Sequence, residues 1–248
     1  MARVVEGAEP FRMEGEEEVG VLVCHGFAGT PQSVRPLGEG LARAGFTVAG
    51  PRLAGHGTTV RDLAKSTASD WISSIEEDID WLQERADEIF FVGQSVGGTF
   101  ALYFAAMRPE LLRGIVTINA CVFLEAPELS RLVFDENAPE TAPGFGSDIK
   151  ASGAEELAYP EIPLPAVKEL MALLRVTDDL LPTIETPALM FQSVEDHVVP
   201  PENGSYIQSH LASRYRQLAR LENSYHVATL DNDANYIAEQ TIRFIVET

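Results

Sequence analysis

The chain has 248 residues, of which 45% are hydrophobic and 23% are charged, and this composition is typical of a globular protein. It contains 18 lysines and arginines against 38 aspartates and glutamates, so its formal net charge is −20. This charge argues against nucleic acid and anionic lipid surfaces as partners, because basic patches supply most of the attraction to them. A neutral small-molecule substrate is favoured. The acidic surface indicates either high solubility, which is the simpler interpretation, or adaptation to high salt.

The amino terminus and the cysteines predict the cellular compartment. Residues 1–7 have neither a basic start nor a continuous apolar stretch, so they do not look like a secretory signal. No apolar run approaches the roughly 18 residues that a membrane-spanning helix needs, so stable membrane insertion is not expected. Cys24 and Cys121 lie in or beside apolar segments, which favours buried free thiols over a disulfide or a metal site. We therefore expect a cytoplasmic protein.

Strand-like and helix-like segments alternate through the first half of the chain. The strand-like segments are continuous apolar runs, as in buried parallel strands, and the helix-like segments have apolar residues three and four positions apart. In chain order, the predicted elements are a strand at 20–24, a helix at 34–44, a strand at 46–49, a helix beginning at 69, a strand at 89–92, a helix at 98–108 and a strand at 115–118. This alternation predicts a parallel sheet with helices on both faces.

The alternation stops between residues 123 and 181. Acidic residues, six prolines and short helical pieces such as 167–175 replace it. Regular order then returns with a strand at 188–192, a short apolar segment at 218–221 and an amphipathic helix at 235–246. We therefore expect residues 1–248 to form a single domain, with residues 123–181 inserted in it as a cap.

The pentapeptide Gly93-Gln94-Ser95-Val96-Gly97 stands between a predicted strand and a predicted helix. A turn this tight forces its serine into a strained backbone conformation, and small flanking residues let the strand and the helix approach closely. The bare Gly-x-Ser-x-Gly pattern also arises by chance in a chain with 19 glycines. The strand before it and the helix after it favour the functional interpretation, so Ser95 is the predicted nucleophile.

A nucleophilic serine needs a general base, and histidine has the pKa that suits this task. In open parallel sheets the chemistry gathers beyond the carboxyl ends of the strands, so the base is expected in a loop after a late strand. His226 meets this condition and is the predicted base. His197 lies too close in the chain to the candidate acid to receive its carboxylate easily. His25 and His56 occupy early loops and are interpreted as structural, and His210 as a surface residue.

The third member of the predicted triad is a carboxylate. In hydrolases of this kind the order along the chain is Ser, then Asp or Glu, then His. Asp196 closes the segment that follows the strand at 188–192, between Ser95 and His226, and is the predicted acid. Glu195 is the nearest competitor. The acid would hold the imidazole in the tautomer that accepts the proton of the serine.

The negative charge that develops on the tetrahedral oxygen needs N–H donors already in place. The expected donors are the amide of Val96, directly after the nucleophile, and the amide of Phe27, in the glycine-rich loop at residues 25–30. We call residues 25–30 the oxyanion loop. The alternative, a phosphate-binding loop, is weak because the Gly-Lys-Ser/Thr ending of such loops is missing.

Together these motifs resemble those of the serine α/β-hydrolases, and among them the small bacterial monoacylglycerol lipases and thermostable carboxylesterases. The similarity covers nearly the whole chain and rests on five segments, at 21–31, 51–57, 93–97, 195–199 and 224–226. It implies an eight-stranded, mostly parallel sheet flanked by helices, with a small inserted cap. Gln94 and Val96 depart from the family pattern, which usually has leucine before the serine and leucine or methionine after it.

The resemblance implies a two-step acyl-enzyme reaction on carboxylic esters of fatty acids, without metal or cofactor. Monoacylglycerol lipase is the expected activity; the alternatives are a short-to-medium-chain carboxylesterase and a non-catalytic ligand-binding homologue. Carbon–carbon bond hydrolysis and acyl transfer to an acceptor other than water also stay open. In the cap, Phe145 and Ile149 are candidates for contact with an acyl chain, unless they form the core of the cap, and Glu155 and Glu156 for contact with a glycerol headgroup.

Overall fold

A central sheet organises residues 2–248, which are the residues that the computed structural model describes. The strands of these residues are β1 Phe11–Met13, β2 Val19–Cys24, β3 Thr47–Gly50, β4 Glu88–Gln94, β5 Gly114–Ile118, β6 Thr141–Pro143, β7 Glu161–Pro163, β8 Ala188–Ser193 and β9 Arg216–Leu221. Seven of them form the main sheet, in the order β1-β3-β2-β4-β5-β8-β9. All neighbours in it are parallel except β1, which pairs antiparallel with β3. The prediction of a mostly parallel sheet is confirmed.

The main sheet has seven strands, so the expectation of eight was wrong. Ahead of β2, the described residues contribute β1 alone, at the edge of the sheet. The residues before β1 turn back on themselves, with the amide of Ala8 bonded to the carbonyl of Val5 and Gly7 at φ 89°. Pro10 then offers no N–H for a ladder. This segment therefore adds no further edge strand.

Helices cover both faces of the sheet. They are α1 Arg35–Arg43, α2 Val60–Leu63, α3 Ala68–Gln83, α4 Val96–Met107, α5 Pro127–Phe134, α6 Leu164–Leu180, α7 Glu202–His210 and α8 Ala234–Glu247. Neighbouring residues of β4 point to opposite faces, because side chains alternate along a strand. Phe91 packs in one core with Trp71 of α3 and Phe100 of α4, and Phe90 packs in the other with Phe244 of α8. Burying each of these rings contributes about 1.5–3 kcal/mol.

Local sequence explains where two of these helices begin. Thr67 caps α3, since its hydroxyl accepts the amide of Asp70 while the carboxylate of Asp70 accepts the amide of Thr67. The helix after Ser95 begins at Val96, two positions earlier than the predicted start at residue 98. It can start there because the turn at Ser95 takes a single residue. The result is a serine held directly between β4 and α4.

Residues 123–181, which we call the inserted segment, contain α5, the two-stranded antiparallel pair β6–β7, and α6. Leu173 and Leu174 of α6 are buried in the same core as α3 and α4. The apolar face of α6 therefore packs on the body of the protein, and these two leucines belong to a core. The treatment of the inserted segment as a cap remains a prediction.

Two further features of the chain concern its cysteines and its helices. Cys24 and Cys121 are free and buried, as predicted from their apolar surroundings. Burial raises the pKa of both thiols well above its usual range. Across residues 2–248, no helix combines the length and the apolar character needed to cross a bilayer.

Candidate active site

Ser95 lies at the turn between β4 and α4, in the middle of the sheet. Its backbone has φ 54° and ψ −121°, a conformation that a residue with a side chain rarely adopts. The amide of Ser95 donates to the carbonyl of Ile118 at 2.8 Å, which ties the turn to the end of β5. Gly97 makes the turn sterically feasible, since a Cβ there would lie 2.2 Å from the carbonyl oxygen of Cys24. The hydroxyl of Ser95 is thereby held clear of the sheet.

Ser95, His226 and Asp196 form a continuous chain of hydrogen bonds. The Oγ of Ser95 lies 2.9 Å from Nε2 of His226, and Nδ1 of His226 lies 2.9 Å from Oδ2 of Asp196. The other carboxylate oxygen, Oδ1, accepts the amides of Val198 and Val199 at 2.9 and 2.8 Å. Two backbone donors therefore fix the carboxylate, the carboxylate fixes the imidazole, and the imidazole faces the serine.

The pKa values in this chain follow from burial and from the pairing of charges. Burial opposes the charged form of Asp196, but the charge and hydrogen bond of His226 and two backbone amides outweigh it and lower its pKa. Burial likewise opposes the protonated form of His226. The negative charges of Asp196, Glu156 and Asp148 outweigh this and raise the pKa of the imidazole above its usual 6.5. The pair therefore stabilises an imidazolium, which is what a serine hydrolase forms in each half-reaction.

Glu195 and His197, the competing candidates, lie outside this chain of hydrogen bonds. Glu195 is exposed and pairs with Lys150 at 3.2 Å. His197 is 54% exposed, and its Nδ1 lies 2.8 Å from Oδ1 of Asp148. Neither residue contacts Ser95, so the geometry favours Asp196 and His226 over both.

His25, in the oxyanion loop, and His56 are buried side by side. Nδ1 of His25 lies 2.8 Å from the carbonyl of Gly26, and its Nε2 accepts the amide of Leu53 at 3.2 Å. Burial lowers the pKa of His25 to about 3 and that of His56 to about 4, so both imidazoles are neutral at pH 7. The rings of His25 and His56 pack edge to face against each other, and His56 also packs edge to face against Phe27. Through these hydrogen bonds and ring contacts, the two buried histidines help to fix the conformation of the oxyanion loop.

The two predicted oxyanion donors come from two different elements that meet at the cavity of Ser95. Val96 is the first residue of α4, where an amide has no acceptor within the helix. Phe27 stands in the oxyanion loop directly before Ala28, whose φ of 62° gives the loop a left-handed bend. Gly26 lets the loop come close, because a Cβ there would lie 3.1 Å from Cβ of Ser95. Phe27 and Val96 line the same cavity as Ser95 and His226.

This cavity contains about 600 Å³ of empty space, including its open mouth. An apolar part of its wall comes from Leu124, Phe145 and Leu170 of the inserted segment. Glu156 also lines it, directly over Gly29, where a Cβ would lie 2.6 Å from Oε1 of Glu156. Within residues 2–248, no group of three or more His, Cys, Asp or Glu side chains is arranged to hold a metal ion.

The four substrate-contact candidates divide into two pairs. The structure brings Phe145 and Glu156 to the cavity, but not Ile149 and Glu155. Glu155 is exposed, and its carbonyl accepts the side-chain amide of Gln32 at 3.0 Å. In this irregular segment the two adjacent glutamates face different ways, Glu156 toward the cavity and Glu155 toward solvent. The sequence offered no pattern from which to choose between them.

Gln94, where the sequence departs from the family pattern, is among the residues that line the cavity beside Ser95. Its side chain is buried and accepts a hydrogen bond from the hydroxyl of Thr229, in the short 3-10 turn Ala228–Leu230. The polar side chain thus ties the turn at Ser95 to the loop that carries His226. A leucine could not make this bond.

Asn119 is a residue of this site that the sequence did not reveal. It follows β5 directly, with φ 47°, a left-handed conformation that asparagine tolerates better than most residues. Its Nδ2 donates to the carbonyls of Tyr225 and His226 at 3.2 and 2.8 Å, and its Oδ1 accepts the amide of Ser193 at 2.7 Å. Asparagine just after a buried strand was the available signal, but many loops have the same pattern.

Comparison with known proteins places this geometry in a family. The family model described as serine aminopeptidase, S33, matches residues 15–233. The chain is 45% identical over 244 residues to the thermostable monoacylglycerol lipase of Bacillus sp. (strain H-257), covering 98% of this chain and 96% of that protein. It is 26% identical to a carboxylesterase of Bacillus subtilis (strain 168), over 96% of each chain. A structure from work on two metagenome-derived lipolytic enzymes, LipS and LipT, superposes with a TM-score of 0.97 at 51% identity, covering 99% of this chain and 100% of that one. The chain therefore belongs to the serine hydrolase family described as serine aminopeptidase, S33, and has the α/β-hydrolase fold that its motifs predicted.

Proposed function

We propose that the protein hydrolyses carboxylic esters of fatty acids, with monoacylglycerols as its substrates. The observation that carries this proposal is the hydrogen-bonded chain Ser95–His226–Asp196, which opens into a cavity with an apolar wall and one carboxyl group. The similarity to a protein named monoacylglycerol lipase supports the choice of substrate.

The geometry supports a two-step mechanism. His226 takes the proton of Ser95 as its Oγ attacks the ester carbonyl, and the amides of Phe27 and Val96 stabilise the oxyanion. The imidazolium, held by Asp196, then gives this proton to the departing alcohol, which leaves an acyl-serine. Water attacks the acyl-serine with His226 again as base, the fatty acid is released, and Ser95 recovers its proton.

The cavity wall offers separate surroundings for the two parts of a monoacylglycerol. Leu124, Phe145 and Leu170 give an acyl chain an apolar surface. Burial raises the pKa of Glu156 to about 7, so its carboxyl group is protonated in a large share of molecules near neutral pH. A carboxyl group that both donates and accepts suits the hydroxyls of glycerol.

The proposal is tested by kcat/KM for monoacylglycerols of several chain lengths beside the ethyl esters of the same acids. We expect a preference for the monoacylglycerols that Glu156→Leu reduces, since leucine can neither donate nor accept a hydrogen bond, whereas Glu156→Gln, which can do both, should keep most of it. Equal kcat/KM for both series would favour the carboxylesterase alternative instead.

A second measurement tests catalysis itself. A fluorophosphonate probe should label the wild-type protein at Ser95 and leave Ser95→Ala unlabelled, and kcat in that variant should fall by roughly 10⁶. Absence of labelling in the folded wild type would favour a non-catalytic ligand-binding protein. Full activity in Ser95→Ala would overturn the assignment of the nucleophile.

We also propose the partners and the location of the protein. The only partner we propose is the small-molecule ester, and the net charge of −20 disfavours nucleic acid. Free buried Cys24 and Cys121 are compatible with a reducing compartment, so we propose cytoplasmic residence.

A further inference from the structure

A carboxylate of the inserted segment contacts the backbone of the candidate base. Oδ2 of Asp148 accepts the amide of His226 at 3.1 Å and the amide of His197 at 3.1 Å. Its other oxygen, Oδ1, lies 2.8 Å from Nδ1 of His197. The side chain of Asp148 is 14% exposed. This single carboxylate therefore joins the inserted segment to the loops that follow β8 and β9.

A second carboxylate joins the same two regions in the opposite direction. Asp231 belongs to residues 222–231, which we call the histidine loop, and it is buried. It accepts the amide of Lys150 at 2.7 Å and the amide of Ala151 at 2.9 Å, both in the inserted segment. It also accepts the amide of Tyr225, in its own loop, at 2.9 Å. Residues 148–151 and the histidine loop are thus held together from both sides.

The peptide groups of His226 are held by two different parts of the protein. Asn119, at the end of β5, donates to the carbonyl of His226, and Asp148 accepts its amide. The position of the imidazole follows from the position of this backbone. Displacing a catalytic group by about 1 Å can cost 10²-fold in rate. One of the two supports belongs to the sheet, and the other belongs to the inserted segment.

We propose that Asp148 is a positioning residue for His226, which makes the alignment of the base depend on how the inserted segment is seated. This inference rests on the proposed serine hydrolase function. Asp148 touches neither Ser95 nor the cavity; besides the effect of its charge on the pKa of His226, its one direct link to the base is the hydrogen bond to the backbone amide of His226. Loss of its hydrogen bond should therefore lower kcat and the rate at which Ser95 reacts, while KM for a small ester changes little.

The test compares Asp148→Ala with Asp148→Asn. Alanine removes the acceptor, whereas the carbonyl oxygen of asparagine can still accept the amides of His226 and His197. For a short p-nitrophenyl ester, we expect kcat to fall by about 10- to 100-fold in Asp148→Ala. In Asp148→Asn it should stay within about threefold of the wild type. The rate of labelling by a fluorophosphonate should change in parallel with kcat.

Glu195→Gln is the matched control. It removes one negative charge from the same surface cluster without touching His226, so it should leave kcat unchanged. Asp148→Glu keeps the charge but moves the carboxylate by one methylene group, and it should lose kcat as alanine does. If Asp148→Ala fails to unfold cooperatively in urea, the contrast between the Asn and Glu variants gives the same answer.

Three outcomes would overturn the inference. They are full kcat in folded Asp148→Ala, an equal loss of kcat in Asp148→Asn and Asp148→Ala, and a loss in Glu195→Gln as large as in Asp148→Ala. An equal loss in the Asn and Ala variants would mean that the charge of Asp148, not its position as an acceptor, matters. A wild type that neither hydrolyses esters nor reacts with the probe would instead refute the proposed function, so the two failures are distinguishable.

Discussion

Replacing Asp196 by asparagine tests whether backbone amides decide the tautomer of His226. In the wild type, Oδ1 of Asp196 accepts the amides of Val198 and Val199, and Oδ2 accepts from Nδ1 of His226. Asparagine has only one oxygen to serve these three donors. The two amides need an oxygen acceptor, so we expect the NH₂ group to face His226. Nδ1 must then accept, the proton moves to Nε2, and the imidazole cannot take the proton of Ser95.

The opposite orientation of the asparagine side chain is disfavoured by a calculable amount. It would place the NH₂ group against the amides of Val198 and Val199 and leave two buried donors unpaired. Each such loss costs about 1–3 kcal/mol, so the flip costs about 2–6 kcal/mol. With the inactive tautomer dominant, kcat should fall by about 10⁴, as in serine proteases with the same substitution. This corresponds to about 5.5 kcal/mol of transition-state stabilisation.

The assay is hydrolysis of a p-nitrophenyl ester by Asp196→Asn and by Glu195→Gln, with urea unfolding as the check on folding. The control removes the same charge one residue away and should leave kcat at the wild-type value. A loss of less than tenfold in folded Asp196→Asn would refute the tautomer argument. A loss in Glu195→Gln as large as in Asp196→Asn would reassign the acid.

Two further predictions concern pH. The pKa of His226 is raised above 6.5, because the charges of Asp196 and Glu156 outweigh the effect of burial. A protonated His226 cannot act as the base, so kcat/KM should fall as the pH drops through a midpoint above 6.5. Glu156→Gln removes one of these charges and should move this midpoint to lower pH; a midpoint unchanged in the variant would contradict the coupling. Burial lowers the pKa of His56 to about 4, so as the pH falls the unfolded chain binds a proton at His56 before the folded protein does. The contribution of the neutral imidazole to the free energy of unfolding is therefore complete above pH 6.5 and is lost as the pH falls toward 4. When the pH is lowered from 7 to 4.5, the free energy of unfolding should therefore fall by about 2 kcal/mol less in His56→Gln than in the wild type. Urea titrations at the two pH values measure this difference, and equal losses in both proteins would contradict a neutral buried imidazole.

The triad candidates were predictable because each has a local signature and a fixed order in the chain. Ser95 stands between an apolar strand and a helix, and Asp196 and His226 each follow a late strand. Parallel strands bring all three of these loops to the same edge of the sheet. The sequence could therefore indicate which residues meet, although they are separated by up to 131 positions.

The inserted segment was less predictable, because no periodic pattern relates its residues to the sheet. The choice between Glu155 and Glu156 depends on how an irregular stretch turns, and local composition does not determine this. The expectation of eight strands came from the family resemblance and not from the apolar pattern of this chain; the turn at residues 5–8, followed by Pro10, leaves β1 alone ahead of β2. Asp148 and Asn119 act through backbone groups of distant loops, so no motif marks them.

The support of His226 also limits how the inserted segment can vary. The apolar side chains of the cavity wall, such as Phe145 and Leu170, take no part in the hydrogen bonds that Asp148 makes. A change that moves residues 148–151, however, also moves the acceptor of the amide of His226. Substitutions that alter acyl-chain preference should therefore be tolerated on the cavity wall and costly in kcat at residues 148–151. The inserted segment would then have two separable tasks, one in contact with substrate and one in contact with the base.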